Sequence, residues 1–333
     1  MPDLSTPTCD LLGIAKPIVQ APVSVVPEVI AGVSNAGGLG ILQATWLGAS
    51  QTRRRIAAIK SLTDRPFGTN YVVSLMGENE HADLDYALEA GVPVISTFWG
   101  DPAPFVERVH AAGALLFHTV GSAQEARRAV DAGVDVVVAQ GVEAGGHVWG
   151  EVSTLALVPA VVDAVPDAHV IAAGGIADGR GLAAVLALGA GAAWVGTRFV
   201  MSRENRMHPE HRARMQAARE TDTLHSSLFD IGWPDAPHRA LVNDTVETWL
   251  AAGSPPSGER PGEGEAVAHH AGGEPIPRYS MEDPLESMTG DVTSMCMYAG
   301  QGIGLVNDEK LVAAIIDDMI SQAGAILGSF GGD

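Results

Sequence analysis

A repeated order of helix, glycine and buried strand is the feature that most limits the folds open to this chain. Ala-rich amphipathic runs end in Ala-Gly or Leu-Gly, and short β-branched runs follow at once, as in "YALEAGVPVISTF" and "RRAVDAGVDVVVAQG". Glycine suits a helix end because it adopts the left-handed backbone without a steric penalty. The runs that follow are apolar at consecutive positions, which is typical of strands buried on both faces. The pattern predicts parallel β/α units.

Eight such strands are predicted along the first part of the chain. They are Pro17–Val23, Leu39–Gln43, Phe67–Ser74, Val92–Phe98, Ala114–Val120, Val134–Gly141, His169–Ala173 and Ala192–Val200. Helices are predicted between them, including Pro27–Ala36, Ser50–Ser61, Pro104–Ala112, Ala123–Ala132 and Gly181–Leu188. This order predicts an α/β protein with a (β/α)8 TIM barrel. A doubly wound sheet is the competing fold, but its glycine fingerprint should open the first β/α turn, which here reads "QAPVSVVPE".

The repeat ends after about residue 204, which predicts a second, smaller domain. We expect the barrel in residues 1–204, an appended domain or lid in residues 205–285, and C-terminal helices in residues 286–333 that pack back on the barrel. The stretch "AAGSPPSGERPGEGEAVAHHAGGEPIPRYSMEDPL" is rich in Gly, Pro and charge and is expected to be a loop. Helical patterning is seen in "HPEHRARMQAARETD", "SMCMYAGQGIGLV" and "DEKLVAAIIDDMISQAGAIL".

Composition limits the binding partners and the cellular compartment that we expect for this protein. The chain has 20 basic and 40 acidic residues, a net charge of -20, which disfavours a nucleic-acid or anionic-membrane partner. Its two cysteines, Cys9 and Cys296, provide neither a disulfide framework nor the ligand spacing of a zinc site, so no metal is expected. No signal peptide and no uninterrupted apolar stretch of about 18 residues is visible. We therefore expect a cytoplasmic protein.

Glycines mark the ends of the seventh and eighth predicted strands, where barrels of this kind often bind a phosphate. Strand seven ends in "AAGGIADGRG", so Gly174 and Gly175 permit a close approach of backbone to an anion. The N–H groups of a helix that starts near Gly179 would point toward the same anion. Strand eight ends in "VGTRF", where Gly196 and Thr197 supply an N–H group and a hydroxyl. The two ends together predict a phosphate site, whereas either one alone would indicate only a tight turn.

One histidine follows the sixth predicted strand in the stretch "QGVEAGGHVWG". His147 would lie over the mouth of the barrel, and Gly145 and Gly146 would let its loop approach a flat ligand. A neutral imidazole there can accept a proton or donate a hydrogen bond to developing negative charge. The alternative is a loop histidine that caps a backbone carbonyl.

Other polar and aromatic side chains at strand ends are weaker candidates. Asn70 and Gln140 can hydrogen-bond the edge of a heterocycle. His118, at the end of the fifth strand, is either a ligand contact or a hydrogen-bonded core residue. The tryptophans that follow strands two, four and six either wall an apolar substrate pocket or pack as ordinary core; they are Trp46, Trp99 and Trp149.

Several motifs together resemble those of the nitronate monooxygenase family, formerly called 2-nitropropane dioxygenases. They are "PIVQAPV", "SNAGGLGIL", "RPFGTN", "AQGVEAGGHVWG", "VIAAGGIADGRGLAAVLALGAGAAWVGTRF" and "YAGQGIGLV". The resemblance covers the chain except for its Gly/Pro-rich segment. The combination of "EAGGH", "AAGGIADG" and "GTRF" is specific for this FMN-binding barrel superfamily and less specific for the reaction.

The resemblance implies a non-covalently bound FMN. Its phosphate would contact Gly174, Gly175, Gly196 and Thr197. Its ring system would contact Ala21, Pro22, Val23, Asn70, Gln140, Gly145 and Gly146, and Gln301 would close over the flavin. His147 matches the family's catalytic histidine, which acts as a base on a nitroalkane or as an electrostatic partner of the nitronate. Molecular oxygen would complete the oxidation to a carbonyl compound and nitrite, without a nicotinamide.

This chain departs from the family pattern at two positions, and two alternative functions stay open. Val23 stands where many members have methionine, and Trp149 stands where several relatives have a smaller or basic residue.

The first alternative function is that of the flavin-dependent enoyl-acyl-carrier-protein reductase group, which shares the barrel and the "EAGGH" loop but uses NAD(P)H. Its acidic carrier favours a basic docking patch, unlike this acidic chain. The second is a barrel that binds FMN or another phosphorylated ligand without turnover. We expect a small-molecule substrate, with the protein a monomer or homodimer.

Overall fold

The computed structural model describes residues 4–330, which form two compact units. Among these residues, the first unit comprises 4–142, 149–205 and 309–330, and the second comprises 143–148 and 206–308. The boundaries differ from the expected 1–204, 205–285 and 286–333. Residues 286–308 group with the second unit because its polar side chains hold them there. Asn243 Nδ2 donates to the carbonyl of Met295 at 2.7 Å, and Thr245 Oγ1 donates to that of Ser294 at 2.8 Å.

The strands and helices are numbered here along the whole described chain. The strands are β1 Ile18–Gln20, β2 Gly40–Gln43, β3 Phe67–Val72, β4 Val94–Phe98, β5 Leu115–Val120, β6 Val136–Gln140, β7 Gly146–His147, β8 His169–Ala173, β9 Ala192–Val195, β10 Thr223–Ser226, β11 His238–Leu241, β12 Ala266–His269, β13 Pro275–Pro277 and β14 Thr289–Gly290. The α-helices are α1 Pro7–Leu12, α2 Pro27–Asn35, α3 Ala49–Leu62, α4 Glu78–Glu89, α5 Ala103–Ala111, α6 Ala123–Ala132, α7 Thr154–Ala164, α8 Gly179–Ala187, α9 Thr197–Val200, α10 Pro209–Ala217, α11 Asp244–Ala251 and α12 Val312–Phe330. Short 3-10 turns occur at Val73–Leu75, Val292–Ser294 and Gln301–Leu305.

The first unit is a (β/α)8 barrel, as the sequence predicts. Its eight strands are parallel in the order β1-β9-β8-β6-β5-β4-β3-β2. A parallel bridge between Val19 and Leu39 joins β1 to β2, with Leu39 N donating to the Ile18 carbonyl at 3.0 Å. The two edge strands therefore meet, and the carboxyl ends of all eight strands lie at one end of the barrel.

Alternate residues of each strand separate the barrel interior from the layer beneath the helices. Val94, Phe117 and Val136 belong to the interior cluster, whereas Ile95 and Leu116 belong to the cluster that packs against the helices. This alternation follows from the two-residue period of a strand. It also defines which polar side chains face inward near the carboxyl ends.

The eighth predicted strand, Ala192–Val200, is too long. The strand ends at Val195, and Thr197–Val200 forms the short helix α9. The amides of Phe199 and Val200 both donate to the carbonyl of Gly196, at 2.8 and 3.1 Å. These bonds turn the chain into a helix directly after the strand, and local apolarity does not reveal the turn.

The second unit contains two small antiparallel sheets, with strand orders β10-β11-β7 and β13-β12-β14. Two expectations are wrong here. The Gly/Pro-rich stretch is not only a loop, because it includes β12 and β13. The stretch "SMCMYAGQGIGLV" forms 3-10 turns rather than an α-helix. Its backbone instead bonds to β11, since Leu241 N donates to the Met297 carbonyl at 2.8 Å.

The last helix, α12, is long and apolar enough to span a membrane by length and composition, the one such helix within residues 4–330. Its buried residues include Ile316 and Met319, and it packs against α8. A Cβ on Gly179 of α8 would lie 2.4 Å from the Met319 carbonyl oxygen, so the two helix backbones approach closely. The contact identifies α12 as a core helix of the barrel unit.

Candidate functional site

Three neighbouring strand ends in the barrel unit bring six predicted phosphate and ring contacts together. β9 lies between β8 and β1, so the ends of these strands are adjacent. Ala21 N donates to the Val195 carbonyl at 2.9 Å, and a Cβ on Gly196 would lie 3.4 Å from Val23 Cγ1. The neighbouring strand end carries the glycine pair of β8. The residues gathered on this arc are Ala21, Pro22, Val23, Gly174, Gly175 and Gly196, and Thr197 follows directly in α9.

The glycine pair after β8 requires a backbone that other residues rarely adopt. Gly174 has φ +105° and Gly175 has φ +71°. Thr154 Oγ1 donates to the Gly174 carbonyl at 3.0 Å, which holds this turn in place. The absence of a Cβ at both positions leaves the backbone accessible to a close ligand.

The N–H groups that open α8 are already bonded within the protein. The Asp178 carboxylate accepts from Arg180 N at 2.9 Å and from Gly181 N at 3.3 Å, and Gln322 Oε1 accepts from Gly179 N at 2.8 Å. The expectation that this helix start faces a phosphate is therefore wrong. Asp178, which caps the helix in "ADGRG", is the residue whose capping role the sequence analysis missed.

Polar side chains line the inner face of the barrel near its carboxyl end. Asn70 lies two residues after Gly68 on β3, and Gln140 lies two residues after Val138 on β6, so each amide shares the inward face of its strand. Asn70 is 3% exposed. The Gln140 side-chain oxygen accepts from the backbone N–H of Trp149 at 3.3 Å. Both amides thus face the barrel interior near the carboxyl ends of their strands.

Ser96 and Gln43 are further inward-facing polar residues that the sequence analysis did not single out. In the sheet register Asn70 pairs with Gln43 on one side and with Ser96 on the other. Within the described part of the chain, the buried Ser96 Oγ has no hydrogen-bond partner. A buried hydroxyl without a partner is unfavourable unless a ligand satisfies it. The signal in the sequence is a polar residue at an inward position of an apolar strand, "VISTF".

This inner face fits a flavin. It combines side-chain amides and an unsatisfied hydroxyl, which suit the edge of a heterocycle, with a glycine turn at an adjacent strand end. No group of three His, Cys, Asp or Glu residues that could hold a metal ion is found between residues 4 and 330.

His118 and the three tryptophans also have defined places in the barrel unit. His118 is 7% exposed and lies two residues from both Leu116 and Val120 on β5, so it shares their outward face and points to the helix layer. Its Nδ1 lies 2.9 Å from Thr97 Oγ1, and burial lowers its pKa to about 4. His118 is thus the hydrogen-bonded core residue of the two alternatives. Trp99 and Trp149 contact each other with ring centroids 4.8 Å apart, and Trp46 is exposed.

In the second unit, the loop that carries His147 packs against the "YAGQG" motif. A Cβ on Gly145 would lie 2.3 Å from the backbone nitrogen of Gly300. Gln301 N donates to the carbonyl of Glu143 at 2.9 Å. Gly146 has φ +75° and open space where a Cβ would point. The structure therefore brings the consecutive residues Gly145, Gly146 and His147 together with the segment of Gln301, which is distant in the sequence.

Aromatic rings surround His147 within the same unit. Its ring centroid lies 4.2 Å from that of Trp233, with a tilt of 31°, and 5.5 Å from those of His238 and Tyr298. Tyr298 is held by its hydroxyl, which donates to the Met281 carbonyl at 2.7 Å. The sequence analysis did not find Trp233, His238 or Tyr298, because no local pattern connects them with residue 147.

Burial keeps His147 neutral. Loss of hydration is the main cause that lowers its pKa to about 3, and the nearby His238 contributes in the same direction. His238 is also buried and its pKa is lowered for the same reason. Its Nδ1 donates to the Ala236 carbonyl at 3.0 Å, and its Nε2 accepts from Phe229 N at 3.2 Å. These two bonds define one neutral tautomer of His238, so it supports His147 as a fixed neighbour.

Comparisons with known proteins agree with the motifs. The model of the family described as nitronate monooxygenase matches residues 5–322. The chain is similar to (3aS,4S,5R,7aS)-5-hydroxy-7a-methyl-1-oxo-octahydro-1H-indene-4-carboxyl-CoA dehydrogenase of Rhodococcus jostii, with 36% identity over 76% of this chain and 70% of the relative.

Two solved structures cover nearly the whole chain. FabK from Thermotoga maritima has a TM-score of 0.81 at 31% identity and covers 98% of both chains. Nitroalkane oxidase from Streptomyces ansochromogenes has a TM-score of 0.78 at 28% identity and covers 98% of this chain and 100% of its own. The family consists of flavin-dependent oxidoreductases that act on nitro compounds. Because the family model matches residues 5–322 and the fold is the expected barrel, the chain belongs to the nitronate monooxygenase family.

Proposed function

We propose that the protein oxidises alkyl nitronates with molecular oxygen, using FMN, and releases a carbonyl compound and nitrite. The observation that carries this proposal is His147, a neutral imidazole held among aromatic rings on the glycine loop that the family motif predicts. Overall, two nitronate anions and one O2 molecule give two carbonyl compounds and two nitrite ions, so atoms, charge and electrons balance without a nicotinamide. The family match supports the reaction class.

Residues from several strand ends would hold FMN. We assign its phosphate to Gly174, Gly175, Gly196 and Thr197, whose glycines permit a close backbone approach. Its ring system would contact Ala21, Pro22, Val23, Asn70, Gln140, Gly145, Gly146 and Gln301. When bound, FMN supplies an electron acceptor that oxygen can regenerate. The unsatisfied Ser96 hydroxyl and the inward amide of Asn70 support a heterocyclic ligand.

His147 would act chiefly on the anionic nitronate rather than on the neutral nitroalkane. A neutral imidazole carries one N–H donor, which can bond a nitro oxygen and orient the anion. It also carries one acceptor nitrogen, but a pKa of about 3 makes that nitrogen a weak base. The nitronate has already lost its α-proton, so its oxidation needs no base. Nitroalkanes would be slower substrates because His147 must then accept the α-proton.

The test begins with the absorption spectrum of the purified protein, where a flavin band is expected and the released flavin is identified as FMN. Propionate 3-nitronate under air should then cause oxygen uptake and nitrite formation, and the neutral nitro compound at matched concentration should give a much lower rate. Absence of oxygen uptake from a protein that retains its flavin would contradict the proposal.

A reaction on an acyl thioester is the second candidate function. It is favoured by the 36% identity to a carboxyl-CoA dehydrogenase over 76% of this chain. Incubation with NADH and an enoyl thioester, and separately with a saturated acyl-CoA without oxygen, distinguishes this class from the first. NADH loss or flavin bleaching in these samples, with no response to the nitronate, would support the thioester reaction. No response to any of them would leave a binding barrel without turnover.

We also propose that the protein works in the cytoplasm as a monomer or homodimer, without a nucleic-acid or membrane partner. The net charge of -20 supports the absence of these two partners, because a concentrated positive surface is needed to bind either polyanion. Light scattering on the holoprotein would determine the number of chains.

A further inference from the structure

Two tryptophans at the carboxyl end of the barrel unit form a fixed aromatic corner. Trp99 directly follows β4, and Trp149 lies in the connection after β6. Their ring centroids are 4.8 Å apart and their planes are inclined at 79°. Phe98 packs edge-on against Trp99, with centroids 5.3 Å apart. Trp149 remains 43% exposed.

Trp149 is anchored at two points. Its backbone N–H donates to the Gln140 side chain at 3.3 Å, and its indole Nε1 donates to Glu125 Oε1 at 2.8 Å. Glu125 is held in turn, because its other carboxylate oxygen accepts from Gly121 N at 2.8 Å. The exposed indole therefore has a defined orientation, and it is connected through Gln140 to the inner face of the barrel.

Trp99 is held in a backbone conformation that bulky residues rarely adopt. Its φ is +60°, in the left-handed region. Its carbonyl accepts from Ser74 N at 3.0 Å, and a Cβ on the next residue, Gly100, would lie 2.7 Å from Val73 Cγ1. Close packing of this turn thus enforces the conformation. Strained backbone of this kind concentrates at ligand-binding positions.

Resting on the proposed function, we infer that Trp99 and Trp149 select nitronates that carry an aromatic ring over short alkyl nitronates. A ring placed in the corner meets the face of one indole and the edge of the other, the two arrangements that aromatic pairs prefer. A rigid wall also favours a rigid ligand, because a flexible alkyl chain loses conformational freedom when it is bound. The pair sets substrate preference and takes no part in proton or electron transfer.

The test compares kcat/KM for the nitronates of phenylnitromethane and 1-nitropropane in the holoenzyme and its variants. Using each variant's ratio cancels the different intrinsic reactivities of the two compounds. Trp149→Ala is expected to lower the ratio of phenyl to propyl about tenfold, mainly through KM, because one aromatic contact is lost. The backbone bond to Gln140 survives this substitution. Trp149→Phe should keep most of the preference.

Leu155→Ala is the matched control, because Leu155 is an apolar residue that is 70% exposed nearby in the chain but has no ring. Its ratio should equal that of the parent. A ratio that changes less than twofold in Trp149→Ala, or equally in Leu155→Ala, would overturn the inference.

A binding measurement decides the matter if no nitronate is turned over, the outcome in which the proposed function itself fails. Phenylacetate and butyrate are titrated into the holoprotein and followed by perturbation of the flavin spectrum. Phenylacetate should bind the parent about tenfold more tightly than butyrate, and this difference should disappear in Trp149→Ala. Equal affinities in the parent would overturn the aromatic preference.

Discussion

The imidazole of His147 lies against the indole of Trp233, with ring centroids 4.2 Å apart and planes inclined at 31°. Trp233 is 5% exposed, so it shields one face of the imidazole from water. The histidine is paired in register with His238 across β7 and β11. The residue proposed to contact the substrate is therefore positioned by side chains that come much later in the sequence.

His147→Ala should retain the flavin band and lose turnover. The assigned phosphate contacts lie elsewhere in the chain, whereas loss of one hydrogen-bond donor directed at substrate charge typically costs about 10²–10³-fold in kcat. We expect kcat for a nitronate to fall by about that factor, measured as nitrite release. His269→Ala, at an exposed position, is the control and should keep full activity. Full activity of His147→Ala on a nitronate would contradict the proposed role of His147 as the group that orients the anion.

Trp233→Ala should raise the pKa of His147. Burial lowers this pKa to about 3, and removal of the indole lets water reach the imidazole, which favours its charged form. The pKa is expected to move toward the usual value of about 6.5. An NMR titration of the imidazole C–H signals measures it, with His147→Ala used to assign the resonance. A pKa that stays near its parent value would show that Trp233 does not control the hydration of the ring.

Gly145→Ala should disturb the histidine loop, whereas Gly328→Ala should not affect stability adversely. A Cβ at Gly145 would lie 2.3 Å from Gly300 N, but one at Gly328 meets nothing within 4 Å. Backbone must shift to accept the first methyl group, which costs about 1–3 kcal/mol. Thermal unfolding should show a lower Tm for Gly145→Ala and an equal or higher Tm for Gly328→Ala. Equal Tm values for both variants would contradict the close packing of the two motifs.

Ser96→Ala should stabilise the flavin-free protein and weaken FMN binding. Its buried hydroxyl has no partner among the described residues, and such a group costs about 1–3 kcal/mol. Chemical unfolding of the apoprotein should therefore show a small gain, while fluorescence titration should show a severalfold higher Kd for FMN. The adjacent Thr97→Val is the control. Thr97 Oγ1 donates to the Phe117 carbonyl at 2.9 Å, so this variant should lose stability and keep its FMN affinity. An unchanged Kd in Ser96→Ala would exclude a flavin contact at Ser96.

Acid should destabilise the protein in part through His118. Burial lowers the pKa of His118 to about 4, whereas the unfolded chain titrates near 6.5. The unfolded state thus binds more protons between these values, and the free energy of unfolding falls as the pH decreases through this window. His118→Asn should reduce that loss by on the order of 2–3 kcal/mol, measured by urea unfolding at pH 4.5 to 7. His269→Asn, at an exposed position, should leave the slope unchanged.

The barrel could be predicted because its information is local. Each helix-glycine-strand unit is encoded within about 25 residues, and the apolar runs predict burial on both faces. Ala123–Ala132 forms the predicted helix with the same bounds. The strand ends that carry Gly174 and Gly196 are adjacent, as the order of a barrel requires. The breaks of pattern after Val195 and around β12 were missed, since hydrogen bonds to distant or following residues override the local signal.

Sequence alone therefore determined the barrel, its strand order and the identity of His147 as a candidate, because periodicity and glycine placement act over a few residues. Only the tertiary structure decided what surrounds that histidine and which strand-end polar groups remain available. Trp233, His238 and Tyr298 reach His147 through packing between distant segments. Asp178 and Gln322 occupy the N–H groups of α8 through contacts that no spacing reveals. Burial, which depends on all of these contacts at once, is what makes the imidazole neutral.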